Sequence, residues 1–210
     1  MGAAMLLLSG CAGGPSPSAG RKLLLPAKCW LVANGVYEFR QAIELEWRGR
    51  RDSFEAVMRF EPAAGRLYQV LFSPLGTALL KLRVARRDYR AAGALAESFA
   101  GRRLARLLAG AWQRIFLDLR REESGGVSLS GQTPRWVSNP PRLVALTGEC
   151  GRIEYDDFRL LGEGDGELAV PMRIRLYNLN PAYDLSLRLL TLKRVTAQKG
   201  GEERDGFGDS

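Results

Sequence analysis

Residues 37–47 read Tyr-Glu-Phe-Arg-Gln-Ala-Ile-Glu-Leu-Glu-Trp, and this stretch decides the fold. Tyr37, Phe39, Ile43, Leu45 and Trp47 share one parity, while Glu38, Arg40, Glu44 and Glu46 share the other. Successive side chains of an extended chain point to opposite faces. An apolar set and a charged set at period two therefore predict a strand with one buried face and one wet face.

The pattern continues outward from there. Arg48-Gly49-Arg50-Arg51-Asp52 is turn-like, and Phe54, Ala56, Met58 and Phe60 repeat the alternation. Glu61-Pro62-Ala63-Ala64-Gly65 breaks it, and Tyr68, Val70 and Phe72 mark a third strand. Ser73-Pro74-Leu75-Gly76 turns again, and Leu80, Leu82 and Val84 belong to a fourth. Connections this short join only antiparallel neighbours, so this half is a meander.

The period then changes. From Leu104 the apolar positions are Leu107, Leu108, Ala111, Trp112, Ile115, Phe116 and Leu119, which form one stripe of an amphipathic helix. Gly110, midway along, is a candidate break. Arg102, Arg103, Arg106, Arg114, Arg120 and Arg121 fall largely off the stripe, where they either meet lipid phosphates or keep the outer face wet. Residues 122–133, rich in Gly and Ser, are expected to form a loop. Strands resume at 142–147, 151–158, 168–178 and 185–195, with turns at 162–167 and 178–181. Strands, helix, strands is the order of a mainly β (α+β) domain. A curved antiparallel sheet whose aromatic face is covered by the one amphipathic helix satisfies it.

Composition narrows the function. Among 210 residues there are 31 Lys+Arg against 23 Asp+Glu, a net charge of +8, and no histidine. A basic surface attracts phosphates, including those of lipid headgroups. The absence of histidine removes Ser/His/Asp and Cys/His nucleophile arrangements and the commonest zinc ligand. There is no G-x-S-x-G, no Walker loop and no metal cluster, so no enzyme activity, cofactor or metal is expected. Asp156 and Asp157 are adjacent on a strand, point to opposite faces by parity, and make a poor catalytic pair. No stretch reaches the roughly 18 apolar residues of a membrane-spanning helix.

The beginning supplies another membrane device. Leu8-Ser9-Gly10-Cys11 resembles the lipobox of bacterial lipoproteins, in which the cysteine thiol receives a diacylglyceryl group and the chain is cleaved before that cysteine. No Lys or Arg precedes the short apolar run, and both departures fit a start codon assigned downstream of the true one. The resemblance implies a signal peptide over 1–10, lipidation of Cys11, and a flexible Gly/Ser/Pro tether over 11–24. Ala12 follows the cysteine rather than Asp, which implies sorting to the outer membrane, periplasmic face. That compartment holds no nucleic acid, so none is expected as a partner. With Cys11 consumed, Cys29 and Cys150 remain, either as a disulfide or as two separate thiols. Residues 25–196 form the domain, and 197–210 are a polar tail expected to be disordered.

The stretch Tyr68-Gln69-Val70-Leu71-Phe72-Ser73-Pro74-Leu75-Gly76 with Leu79, Leu80 and Leu82, and the later Val170-Pro171-Met172-Arg173-Ile174, resemble elements of the LolA/LolB-like periplasmic lipoprotein carriers and receptors. The likeness is nearest to LolB-like outer-membrane lipoproteins associated with aryl-polyene and fatty-acid-type biosynthetic genes. It implies an eleven-stranded half-barrel with a helical lid and an apolar cavity for acyl chains. On that resemblance Phe39, Ile43, Leu45, Phe54, Met58, Phe60, Phe72, Leu108, Trp112 and Phe116 line the cavity, although a closed core requires the same residues. Leu75 matches a protruding membrane-contacting residue, the alternative being a turn leucine packed on its own strands. The implied partners are a lipid or lipophilic ligand, the membrane through the N-terminal lipid, and a periplasmic LolA-like carrier. The function implied is a non-catalytic carrier or receptor, and the alternative is an accessory lipoprotein with a closed core acting through protein contacts.

Overall fold

The computed structural model describes residues 35–118, 120–121, 127–128, 132–138, 141–161, 168–179 and 181–195. Cys11, the tether, Cys29, the 162–167 turn and the tail over 197–210 lie outside the described residues. The first half contains β1 (Val36–Trp47), β2 (Arg50–Glu61), β3 (Arg66–Phe72), β4 (Ala78–Ala85) and β5 (Tyr89–Ala92). Then come α1 (Ala94–Glu97), α2 (Phe99–Trp112) and a π-helical turn over Gln113–Leu117. The second half contains β6 (Arg120–Arg121), β7 (Val127–Ser128), β8 (Gln132–Ser138), β9 (Pro141–Gly148), β10 (Gly151–Leu161), β11 (Leu168–Leu179) and β12 (Ala182–Val195).

Ten of these strands make one curved, unclosed antiparallel sheet in the order β5-β4-β3-β2-β1-β12-β11-β10-β9-β8, and β6 pairs with β7 alone. Two meanders thus meet where β1 pairs with β12, with Ile43 opposite Leu187 and Leu45 opposite Leu185. β5 and β8 lie at opposite edges. The chain between them must therefore traverse the sheet, and α2 with its π turn is the segment that does so. It buries Ala105, Leu108, Ala109, Ala111, Trp112, Ile115, Phe116 and Leu117. That is the expected architecture, with ten strands in the sheet among the described residues where the resemblance implies eleven.

Local readings differ in four places. The helix begins at Phe99, five residues before the apolar stripe becomes regular, and Gly110 does not interrupt it. The irregularity falls instead at Gln113–Leu117, where the π turn widens the helix. β5 and β8 were not expected as strands, and β8 starts within the stretch assigned to a loop. Asp157 adopts a left-handed φ of 53°, which an unbroken strand does not predict, and Asp156 and Asp157 are both exposed.

The start of α2 is built with little tolerance. Ser98 is its N-cap, the hydroxyl accepting from the Gly101 amide at 2.9 Å. A Cβ placed on Gly101 would lie 1.6 Å from the carbonyl oxygen of Leu95, so α1 folds onto α2 only because residue 101 has no side chain. Helix propensity alone predicts that Gly101→Ala stabilises by roughly 0.5–1 kcal/mol. The clash reverses the sign, and we expect a loss of about 1–3 kcal/mol in urea unfolding. A gain in stability would show that α1 does not pack there.

Candidate functional site

The concave face is assembled by alternation on every strand. β1 contributes Tyr37, Phe39, Gln41, Ile43 and Leu45, and β2 contributes Ala56, Met58 and Phe60, all buried. Leu67, Gln69 and Leu71 come from β3, and Leu80, Leu82 and Val84 from β4. β10, β11 and β12 add Ile153, Tyr155, Ile174, Leu176, Leu185 and Leu187. Under the π turn an aromatic cluster forms: Phe116 lies 5.3 Å from Phe60, 5.9 Å from Trp112 and 6.0 Å from Phe39 between ring centroids. Tilted rings at these separations add attraction beyond the area they bury.

Of the ten residues expected to line a cavity, Phe39, Ile43, Leu45, Met58, Phe60, Leu108, Trp112 and Phe116 are brought together here, buried against one another. Phe54 is half-buried and packs against their edge. Phe72 is placed elsewhere. β3 buries Leu67, Gln69 and Leu71, so Tyr68, Val70 and Phe72 lie on the opposite, convex face. Both parities of this strand carry apolar residues, and pairing decides between them: Phe72 sits opposite the exposed Glu55, while Leu71 sits opposite the buried Ala56.

Polar bonds also tie the helical cover to the sheet. Trp112 Nε1 donates to Gln69 Oε1 at 2.8 Å, and Tyr155 donates its hydroxyl to the Ile115 carbonyl at 3.1 Å. Gln113 Nε2 donates to the Ala85 carbonyl at 2.9 Å, and Arg86 Nε to the Leu117 carbonyl at 3.4 Å. The bonds to Ile115 and Leu117 satisfy carbonyls that the end of a helix otherwise leaves without partners. Arg114 bonds Asn178 Oδ1 and reaches the Cys150 carbonyl at 3.3 Å. Beside it, burial pushes the Tyr183 phenol up to about 12, with the Arg114 charge pulling the other way. Arg114 is therefore a structural residue rather than one held out to solvent. Pairing of Cys150 with Cys29 remains a proposal, because Cys29 lies outside the described residues.

A second feature lies at one end of the sheet. Ser73 Oγ accepts from the amides of Leu75 at 3.2 Å and Thr77 at 3.1 Å, and the Gly76 amide reaches the Ser73 carbonyl at 2.9 Å. The turn is thereby fixed, and Leu75 stands 93% exposed instead of packing on its own strands. Phe99, the first residue of α2, is 76% exposed. These are the two most exposed large apolar side chains among the described residues. The start of β2 lies beside the end of β3, which places the β1–β2 and β3–β4 turns at the same rim. The Arg103 guanidinium covers the Trp47 ring at 3.9 Å, and Arg48 approaches it at 5.1 Å, tying the start of α2 to that rim. Phe99 carried no periodic signal in the sequence, because it precedes the apolar stripe.

Comparison with known proteins gives structural likeness only. No protein-family model matches the chain, and no curated protein matches it. Among solved structures it is similar to a putative outer membrane lipoprotein-sorting protein domain from Vibrio parahaemolyticus, at TM-score 0.47 and 10% identity over 81% of this chain and 88% of that one. It is also similar to a LolA superfamily protein from Nitrosomonas europaea, at TM-score 0.46 and 11% identity over 81% of this chain and 88% of the other.

Proposed function

We propose that this protein is a non-catalytic carrier or receptor for acyl chains, lipoprotein lipids or another lipophilic product, anchored through Cys11 at the periplasmic face of the outer membrane. One observation carries the proposal. The apolar concave face belongs to an unclosed sheet and is covered, among the described residues, by one helical segment that lays its apolar stripe on it. Such a cover exchanges its contacts for an acyl chain at small net cost, because each buried methylene contributes about 0.8 kcal/mol whichever apolar surface it meets. The rim bearing Leu75 and Phe99, flanked by Arg48 and Arg103, suits delivery to or from a membrane surface. A periplasmic LolA-like carrier is the natural donor in this scheme.

The dense packing favours a second reading, an accessory lipoprotein with a permanently closed core. Phe39, Phe60, Trp112 and Phe116 fill the space under the cover with their own rings. Native mass spectrometry with organic extraction, on Cys11→Ser protein purified from its own periplasm, separates the two. We expect a stoichiometric lipid or polyene. Protein that is empty and also refuses added fatty acid and apolar dye belongs to the second reading.

A further inference from the structure

Two amides interrupt the apolar interior. Gln41 on β1 is 0% exposed, and among the described residues neither its Oε1 nor its Nε2 has a hydrogen-bond partner. Gln69 on β3 is 1% exposed; Trp112 holds its Oε1, and its Nε2 is without a partner. Each buried donor or acceptor left unmade costs about 1–3 kcal/mol. An apolar residue of similar length at 41 would give a better closed core, so the amides call for a use outside it.

Their placement is coherent. Gln41 sits opposite Ala56 and Gln69 opposite Met58, two positions apart on the inner face of β2. Strand spacings put their Cα atoms about 12 Å apart, diagonally across that strand. Ala56 between them is the smallest residue of the inner set of β2, and Gln41 lies at the register shift between β1 and β12. Two donor-bearing amides and one acceptor oxygen thus face the helical cover around a shallow spot in the sheet.

We infer that the acyl ligand carries an uncharged head that both donates and accepts a hydrogen bond, a protonated carboxyl or a secondary amide, and that this head seats on Gln41 and on Gln69 Nε2 when α2 moves off the sheet. The inference rests on the carrier reading and names its ligand class. A protonated carboxyl pairs with the Gln41 amide through two bonds at once, Nε2–H donating to the carbonyl oxygen and Oε1 accepting from the O–H. A trans secondary amide, whose N–H and C=O point opposite ways, gives its N–H to Gln41 Oε1 and accepts from Gln69 Nε2–H on its carbonyl. A charged carboxylate does not suit the place, since an apolar surround disfavours the ionised form. An ester accepts but cannot donate, so it leaves Gln41 Oε1 unmade. A hydrocarbon leaves all three atoms unmade.

The test is competition for bound cis-parinaric acid on the full-length chain in detergent. Palmitic acid and N-methylpalmitamide are expected to displace the probe at lower concentration than methyl palmitate, and methyl palmitate at lower concentration than hexadecane. Whichever of the first two displaces better identifies the source, a free fatty acid or an N-acylated amine. Gln41→Met is expected to weaken cis-parinaric acid about tenfold, the loss of roughly one hydrogen bond. The same variant should bind the hydrocarbon probe diphenylhexatriene as tightly as the parent, and melt at a higher temperature when empty. Parallel weakening of both probes would mean that residue 41 acts on the cover and not on the ligand head, and overturns the inference. Equal displacement by hexadecane and palmitic acid overturns it without any variant. A chain that takes up neither probe removes the carrier reading itself, a distinct result.

Discussion

Replacing Trp112 by alanine is expected to lower the unfolding free energy by about 3–5 kcal/mol, the range for deleting a fully buried aromatic. Trp112 is wholly buried, faces the Phe116 ring at 5.9 Å and donates to Gln69 from its indole nitrogen. Alanine removes the packing and the bond together. Trp112→Phe separates them: most of the ring contact is kept, while Gln69 Oε1 loses its donor, and the cost should fall to about 1–3 kcal/mol. Domains are stable by only about 5–15 kcal/mol, so the alanine variant should sit close to unfolding at moderate urea. Urea titration of both variants measures the pair. A loss below about 1 kcal/mol for Trp112→Ala would mean that α2 is not seated on the sheet in solution, since no packed tryptophan is that cheap to delete. For function the milder variant is the informative one. With the indole–amide bond gone and the fold intact, uptake of an apolar probe should be faster than in the parent.

The sheet was legible because its strands alternate strongly where one face is charged. Along β1 the acidic and basic residues mark the wet face without ambiguity, and β12 completes the pairing that seats them. β3 shows where this fails. Arg66-Leu-Tyr-Gln-Val-Leu-Phe72 carries apolar residues on both parities, and both of its aromatic rings belong to the outward one. On that face the Tyr68 ring is flanked by Arg66 and Arg83 at 5.8 and 5.5 Å, so the arginine stems and guanidinium planes supply the cover that an aromatic ring otherwise seeks in a core. Hydrophobicity summed along a strand cannot see neighbours on the next strand. The π turn was equally hidden. Its apolar residues keep the spacing of an α-helix, and the widening is tied to cross-chain bonds such as Tyr155 to the Ile115 carbonyl.

The site was legible as a set of residues rather than as a kind of place. Alternation on β1 and β2 and the stripe on α2 name the side chains that meet beneath the cover, but a core and a ligand site draw on the same apolar residues. The signal that discriminates is polar: Gln41 stands on the inner parity of β1, among Phe39, Ile43 and Leu45. A glutamine on an apolar parity is the one residue there that a closed core does not ask for. Gln69 gives no such signal, because the strand parity that places it inside is the one β3 leaves ambiguous.

Cys11→Ser, exported on the cleavable leader of a soluble periplasmic protein, is expected to move from the membrane fraction to the soluble periplasm almost completely. The magnitudes decide this. A single fourteen-carbon acyl chain binds a bilayer with a constant of about 10⁴ M⁻¹, and stable anchoring takes at least two such signals. A diacylglyceryl thiol with further N-acylation meets that requirement from one residue. Against it stand the exposed side chains of the rim, Leu75 and Phe99, each contributing at most about 1.5–3 kcal/mol when fully buried and less when only dipped into headgroups. The net charge of +8 adds attraction to anionic lipid, but roughly 1 M salt shrinks the screening length to about 3 Å and removes most of it. Fractionation should therefore include a high-salt wash of the membranes. The parent chain should stay with the pellet at every salt concentration, and Cys11→Ser should leave it even at low salt. Leu75→Asp combined with Phe99→Asp should leave retention unchanged while slowing transfer of a bound lipid to vesicles, if, as proposed, the lipid on Cys11 holds the protein at the surface and the rim acts in delivery. If Cys11→Ser protein survives the wash in the pellet, the lipid is not the anchor, and the rim or a partner protein must hold the chain instead.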